Sequence, residues 1–146
     1  MRGPCRLLCP ALAALLLVGA AGCGKGLYPV RGKVTYPDGA PVTRGTVVFE
    51  AKDVEKPTTA RGAIQPDGRY ELGTFTPGDG VPPGKYRVLI APVFDPTDAD
   101  KPPAQRSPVL FDPRYADFNT SGLEREVKAE SNDIALTVDR PTGARR

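Results

Sequence analysis

Three aspartates in one proline-rich stretch are the side chains best suited to holding a metal ion. Asp95, Asp98 and Asp100 fall within six residues, and calcium is a hard cation that takes several carboxylate and carbonyl oxygens as ligands. Their spacing differs from that of an EF-hand loop, which needs a central glycine and a terminal glutamate. Two interpretations stay open, a weak calcium site and solvated loop carboxylates, and the second is favoured. We therefore predict no metal and no cofactor.

Other side chains that could carry out catalysis are few. The sequence contains no histidine, which removes the usual general base near neutral pH and every Ser–His or Cys–His nucleophile. None of its three serines lies in a Gly-x-Ser-x-Gly elbow. Glu50, Asp53 and Glu55 cluster, and paired carboxylates can hydrolyse a glycoside, but charges on a loop are more typical of a solvated surface. We predict that the protein is not an enzyme, with a carboxylate- or calcium-dependent enzyme as a remote alternative.

Four aromatic residues in or near the same stretch could form a surface for a sugar or a peptide. They are Phe94, Phe111, Tyr115 and Phe118. Aromatic rings offer a large, mostly apolar contact area. The sequence has no tryptophan, the ring that sugar-binding platforms favour. The alternative, in which these rings pin the loop to the rest of the domain, is therefore favoured.

Cys23 is the residue best suited to covalent modification. It follows a positively charged segment with Arg2 and Arg6 and an apolar run at 7–21, which is the order of an export signal. The end of this segment resembles a bacterial lipobox, in which the thiol is acylated and becomes the new N-terminus, although Ala20 stands where leucine is usual. Ordinary signal cleavage nearby is one alternative. An uncleaved anchor is another, but the run is shorter than the ~20 residues that span a membrane.

This segment predicts both the organisation and the location of the chain. We expect residues 1–22 to be a lipoprotein signal peptide and residues 23–28 a lipidated tether. The mature protein would be lipid-anchored in the cell envelope, at the outer membrane or its periplasmic face, since Gly24 rather than aspartate follows the cysteine. Cys5 and Cys9 would leave with the signal, so the mature chain could form no internal disulfide. The formal net charge is only +3, with both signs interspersed, which indicates no nucleic-acid partner.

Beyond the tether, short apolar-alternating runs are separated by turn residues, and no window shows a sustained helical period. We predict seven strands, at 30–36, 45–51, 59–65, 69–75, 85–91, 123–129 and 133–139. In the clearest of them Tyr86, Val88 and Ile90 share the inward face. The pattern predicts an all-β fold, a seven-stranded antiparallel Greek-key sandwich over residues 29–139. A polar tail follows at 140–146.

Two connections between these strands have distinctive compositions. Pro66, Asp67 and Gly68 join the third and fourth strands, a combination that predicts a β-hairpin. Residues 92–113 contain six prolines and cannot form a central strand, because each proline removes a backbone donor. This proline-rich loop is expected to be a surface excursion that is either functional or held down by its apolar residues.

Segments at 30–42, 67–72 and 83–88 resemble the carboxypeptidase regulatory-like, or transthyretin-like, β-sandwich. Together with the lipobox and with Ser121, Gly122 and Leu123, the chain is similar to short lipoproteins of this class in planctomycete-type bacteria. The resemblance covers residues 29–138. An enzymatic relative that hydrolyses 5-hydroxyisourate depends on histidines and a C-terminal Tyr-Arg-Gly-Ser, both of which this chain lacks.

The resemblance implies a non-catalytic envelope module. We expect an adhesion, scaffolding or accessory role, with the membrane as one partner through Cys23 and an envelope protein or glycan as another. The alternative is a ligand-binding module for an envelope glycan or peptide.

Overall fold

The computed structural model describes residues 26–52, 57–102 and 105–142. The eight strands in these ranges are β1 (Val30–Thr35), β2 (Thr46–Ala51), β3 (Thr59–Ala63), β4 (Arg69–Glu71), β5 (Gly84–Ala91), β6 (Leu123–Val127), β7 (Asn132–Asp133) and β8 (Leu136–Thr137). Short 3₁₀ helices lie at η1 (Pro96–Asp98) and η2 (Pro113–Ala116). No helix in these ranges is long and apolar enough to cross a membrane. The predicted signal peptide and the residues 143–146 of the predicted tail lie outside the described residues.

The strands form two sheets, which confirms the predicted all-β class. The first sheet has the order β4–β1–β7, with β8 also paired to β1, and the second has the order β3–β2–β5–β6. Every pairing in the second sheet is antiparallel. One hydrophobic cluster contains residues from both sheets, so the arrangement is sandwich-like.

The first sheet is mixed, and the prediction of a wholly antiparallel sandwich is wrong there. β1 pairs with β4 in antiparallel fashion but with β7 and β8 in parallel, with Val30 opposite Asn132 and Val34 opposite Leu136. The reason is the route of the chain: it leaves β6 at the end where β1 begins and crosses to the first sheet. It then runs beside β1 in the same direction. The predicted strand at 133–139 is accordingly two short pieces.

The predicted hairpin between the third and fourth strands forms only in part. The turn itself forms, with the Gly68 N–H donating to Gln65 O at 2.8 Å and the Gln65 N–H donating to Arg69 O at 2.8 Å. Arg61 of β3 and Gly73 also exchange two backbone hydrogen bonds of 2.9 Å as an antiparallel bridge. The longer ladders, however, join β3 to β2 and β4 to β1. Turn residues reverse the chain without choosing its partners, and here both strands place apolar residues against the same core from opposite sheets.

The core consists of the inward-facing residues of both sheets and of the segments that close them. Its fully buried members include Val30, Val34, Val42, Val47, Phe49, Leu72, Val81, Val88, Ile90 and Leu136. Tyr70 and Tyr86 are also buried, and their hydroxyls donate to Ile134 O at 2.6 Å and to Pro82 O at 2.8 Å. Burial raises the pKa of both tyrosines. These bonds satisfy the polar end of each ring inside an apolar core.

Gly32 of β1 is closely approached by the backbone of Ile134 and by the Tyr70 side chain of β4. A Cβ at this position would lie 1.9 Å from the carbonyl oxygen of Ile134 and 2.9 Å from the hydroxyl of Tyr70. The missing side chain therefore allows the Tyr70 ring to cover β1 and to reach the chain between β7 and β8.

Candidate functional site

Several of the predicted site residues cannot be located. Cys23, the predicted lipidation site, lies outside the described residues, and so do Asp53 and Glu55 of the carboxylate cluster. Glu50 is described, and it forms an ion pair with Arg87 on the neighbouring strand β5. Glu50 therefore has a structural partner in the second sheet.

Two of the four predicted surface aromatics are buried. Phe111 is 1% exposed and Tyr115 is 4% exposed, so neither ring can form part of an accessible ligand surface. The Tyr115 hydroxyl donates to the Asp139 carboxylate at 3.0 Å, and η2, which carries Tyr115, packs against β5. Because loop residues with large aromatic side chains gain most by burial, these two rings join the core and pin the end of the proline-rich loop.

The three loop aspartates are not brought together as a metal site. Asp95 accepts hydrogen bonds from the backbone N–H and the hydroxyl of Thr97 at 2.8 and 2.7 Å, which cap η1. Asp98 accepts from Lys101 Nζ at 2.9 Å and from the backbone N–H of Ser107 at 2.8 Å. In the part of the chain that the structure describes, no three acidic, histidine or cysteine side chains are arranged to hold a metal ion.

The hydrogen bonds of these aspartates shift their pKa values. The bond from Lys101 and the bond from the Ser107 backbone lower the pKa of Asp98 to about 2. The bonds from Thr97 lower the pKa of Asp95. Both carboxylates are thus charged at neutral pH and serve to hold the loop backbone.

An open groove of about 430 Å³ lies on the outer face of the second sheet. It is lined by Thr46, Val48, Glu50, Thr59, Arg61, Leu89, Ala91 and Phe118. Val48 is only 8% exposed although it points away from the core, so it forms a buried apolar part of the groove. Of the four predicted aromatics, only Phe118 contributes to this groove.

Charged and aromatic groups meet at the Phe118 side of the groove. The guanidinium carbon of Arg87 lies 5.4 Å from the centre of the Phe118 ring, within the range of a cation–π contact. Arg87 also pairs with Glu50, and its Nε is buried with no hydrogen-bond partner among the residues that the structure describes. Such an arrangement could stack a planar or sugar-like ligand on Phe118 and hydrogen-bond it through Arg61 and Glu50.

A second feature lies at the end of the molecule where the described chain begins. Here Tyr28 and Val81 exchange two backbone hydrogen bonds of 2.9 Å. The adjoining residues 74–79, which we call the Asp79 turn, are held by one carboxylate. Asp79 accepts from the backbone N–H groups of Thr74 at 2.6 Å, Phe75 at 3.1 Å and Thr76 at 3.0 Å.

The Asp79 turn presents an aromatic ring to solvent. Phe75 is 69% exposed. Desolvation raises the pKa of Asp79, but the three backbone hydrogen bonds outweigh it and the net shift is downward. Sequence reasoning missed this feature because it placed Phe75 at the end of the fourth strand, whereas β4 ends at Glu71. The succession of Pro77, Gly78, Asp79 and Gly80 was the available signal for a built turn.

Comparison of the chain with protein families, with curated proteins and with solved structures found no match. Functional inference therefore rests on the residues and their geometry.

Proposed function

We propose that this chain is a non-catalytic, acyl-anchored module of the cell envelope with an adhesion, scaffolding or accessory role. One observation carries the proposal: an export-type segment ends at Cys23 with the features of a lipobox. In this proposal residues 1–22 are removed, Cys23 carries the lipid, and the domain is held at the outer membrane or the periplasmic face.

The start of the fold supports a short tether. Tyr28, five residues after Cys23, is already paired with Val81. Even a fully extended chain spans about 17 Å over five residues. The sandwich would therefore lie close to the membrane surface that holds the acyl chains.

We also propose that the fold is the Greek-key sandwich of the carboxypeptidase regulatory-like, or transthyretin-like, class. The support comes from the segments that carry the resemblance. Segment 67–72 supplies the turn at Gly68 and the buried Tyr70, and segment 83–88 supplies the buried Tyr86 and Val88. A solved structure of the mature chain would test this assignment, and a different strand order would contradict it.

The anchoring is tested by labelling cells with an alkyne analogue of palmitate. Cys23→Ala should lose the label and leave the membrane fraction. Cys9→Ala is the matched control, because that thiol would be removed with the signal peptide, and it should be labelled like the unchanged protein. Membrane retention without label in the unchanged protein would indicate an uncleaved anchor, and label on the Cys23→Ala variant would place the acyl group elsewhere.

The second candidate function is binding of an envelope glycan or peptide. The groove with Phe118 on its wall favours it, since aromatic faces beside paired charges suit sugars and extended peptides. Phe118→Ala should reduce retention on purified envelope glycan, whereas Phe94→Ala, outside the groove, should not. Equal retention of both variants, together with cross-linking of the unchanged protein to one envelope protein in cells, would favour the scaffolding role.

A further inference from the structure

We propose that the groove at Phe118 binds an acidic glycan and that Arg61 pairs with a carboxylate of that glycan. This inference rests on the second candidate function, the binding of an envelope glycan or peptide. It adds the charge of the ligand, chooses a glycan over a peptide, and names the residue that recognises the acidic group.

The groove has an aromatic group on one side and a cation on the other. Phe118 lies beside Arg87 of β5, with the guanidinium carbon 5.4 Å from the ring centre. Arg61 lies on β3, at the edge of the second sheet, and is in register with Val48 of β2, which is in register with Leu89 of β5. Because neighbouring strands are about 4.8 Å apart, the backbones at Arg61 and Leu89 are separated by about 10 Å. This width leaves room for a sugar ring between the aromatic group and the cation.

Arg61 supplies a positive charge that no described carboxylate neutralises. Two carboxylates line the grooves that contain Arg61: Glu50 in this groove and Glu71 in an adjoining one. Glu50 is paired with Arg87, and Glu71 is paired with Arg31 at 2.8 Å. Arg61 forms no ion pair with any residue that the structure describes. The local charge therefore favours an anionic ligand, and a guanidinium binds a carboxylate through two parallel hydrogen bonds.

The neighbours of Arg61 leave its side chain accessible. Arg61 is exposed, and Thr59 and Ala63, which share its face of β3, have short side chains. The opposite residue on β2 is Val48, which has no polar side-chain atom and is 8% exposed. A carboxylate that reaches Arg61 therefore displaces no partner among the described residues.

The backbone pairing of β3 favours a glycan over an extended peptide. A peptide that adds to a sheet edge needs unpaired backbone groups on the edge strand. At the centre of β3 the Arg61 N–H donates to Gly73 O and the Gly73 N–H donates to Arg61 O, both at 2.9 Å. This bridge occupies the edge of the sheet at Arg61. The ligand must then be recognised by side chains, and an aromatic ring beside hydroxyl and guanidinium groups suits a sugar.

The test measures retention of the full chain, purified in detergent, on envelope glycan that has been freed of peptide. One portion of the glycan is left untreated, and in the other the carboxyl groups are reduced to alcohols. We expect about tenfold weaker retention on the reduced glycan, because a charge-assisted hydrogen-bonded pair is lost. High salt should weaken retention on the untreated glycan, since the pair is exposed to solvent.

Arginine variants separate recognition by Arg61 from a general effect of charge. Arg61→Gln should lower retention on the untreated glycan about tenfold, and Arg61→Lys should recover part of the loss. Arg69→Gln is the matched control, because Arg69 is also an exposed strand residue but lies on β4 in the first sheet, outside this groove. The control makes the same change in net charge and should leave retention unchanged.

The outcomes distinguish this inference from the function on which it rests. Equal retention on untreated and reduced glycan that is lost in Phe118→Ala would overturn the acidic ligand and leave glycan binding intact. Retention on neither glycan would overturn both. Equal losses in Arg61→Gln and Arg69→Gln would show attraction by net charge alone and would overturn the role of Arg61.

Discussion

The Asp79 turn and the proline-rich loop at 92–113 hold their backbones by different means. Each exposes a phenylalanine, Phe75 or Phe94, and each uses aspartate side chains to hold its backbone. In the turn, one carboxylate binds three consecutive N–H groups. The loop instead depends on tertiary contacts, with Tyr36 Oη donating to Leu110 O at 2.6 Å and Phe111 buried in the core.

This difference shows that the role of an exposed phenylalanine depends on how the surrounding backbone is held. The residue type alone does not indicate that role. The second part of the proline-rich loop is anchored to the core, while its first part carries Val93 and Phe94 in solvent. The Asp79 turn is closed locally and lies beside the start of the domain.

The largest expected effect is on the free energy of unfolding, and it should distinguish the buried second part of the proline-rich loop from its exposed first part. Phe111→Ala removes a fully buried ring and should lower the free energy of unfolding by about 3–5 kcal/mol. Phe94→Ala, at an exposed site, should change it by about 0.5 kcal/mol or less. Urea denaturation of the soluble fragment 24–146 measures both. Similar effects at the two positions would contradict the anchoring of the loop through Phe111.

A smaller loss of folding stability is expected where the Asp79 turn packs against Tyr28. Gly80→Ala adds a Cβ that would lie 2.6 Å from the carbonyl oxygen of Tyr28, and it also places alanine at a positive φ. Gly78→Ala is the matched control: its φ is +77°, and its Cβ would meet only the flexible Glu71 side chain, at 3.4 Å. The control should cost roughly 1–2 kcal/mol from backbone strain. Gly80→Ala should cost more, and the opposite order in urea denaturation would show that the turn does not pack on Tyr28.

Acid should weaken both regions. Hydrogen bonds lower the pKa values of Asp79, Asp95 and Asp98 in the folded chain, that of Asp98 to about 2. A lowered carboxylate pKa contributes stability that is present above the unfolded pKa and is lost as pH falls through the folded one. The melting temperature should therefore decline from about pH 5 toward pH 2. Asp79→Asn should make that decline shallower, and an unchanged slope would contradict the role assigned to Asp79.

The smallest effect is expected on metal removal. The carboxylates of Asp95 and Asp98 already accept hydrogen bonds from Thr97, Lys101 and Ser107. A chelator should therefore leave the melting temperature of the soluble fragment unchanged, and added calcium should not raise it. A sharp fall with chelator that calcium reverses would restore the calcium interpretation of this loop.

Local sequence predicted the strands better than their partners. The alternation of Tyr86, Val88 and Ile90 predicted the inward face of β5, because a strand with one buried face must repeat every two residues. Gly68 marked its turn, since glycine tolerates the positive φ found there. The strands with which β3 and β4 form their main ladders were not predictable in this way. The same turn can join two strands of one sheet or two strands that belong to different sheets.

The candidate sites were predicted less well than the strands. The composition of the proline-rich loop identified Phe94, Phe111, Tyr115 and Phe118 as one group, but the fold divides them among solvent, core and groove. Phe75 was assigned to a strand. Whether an aromatic ring is buried depends on which distant surface the chain returns to, and adjacent residues do not specify that surface.

The sequence by itself determined the all-β class, the inward faces of the strands and the positions of the turns, because these follow from alternation and backbone preference over a few residues. It also supplied the grounds for export and acylation at Cys23, which require only a linear signal. The tertiary structure alone decided the parallel pairing of β1 with β7 and β8, the crossing of the chain between β3 and β4, and the packing of Gly80 and Val81 against Tyr28. These features depend on contacts between residues far apart in the chain, where packing of the whole core selects one arrangement.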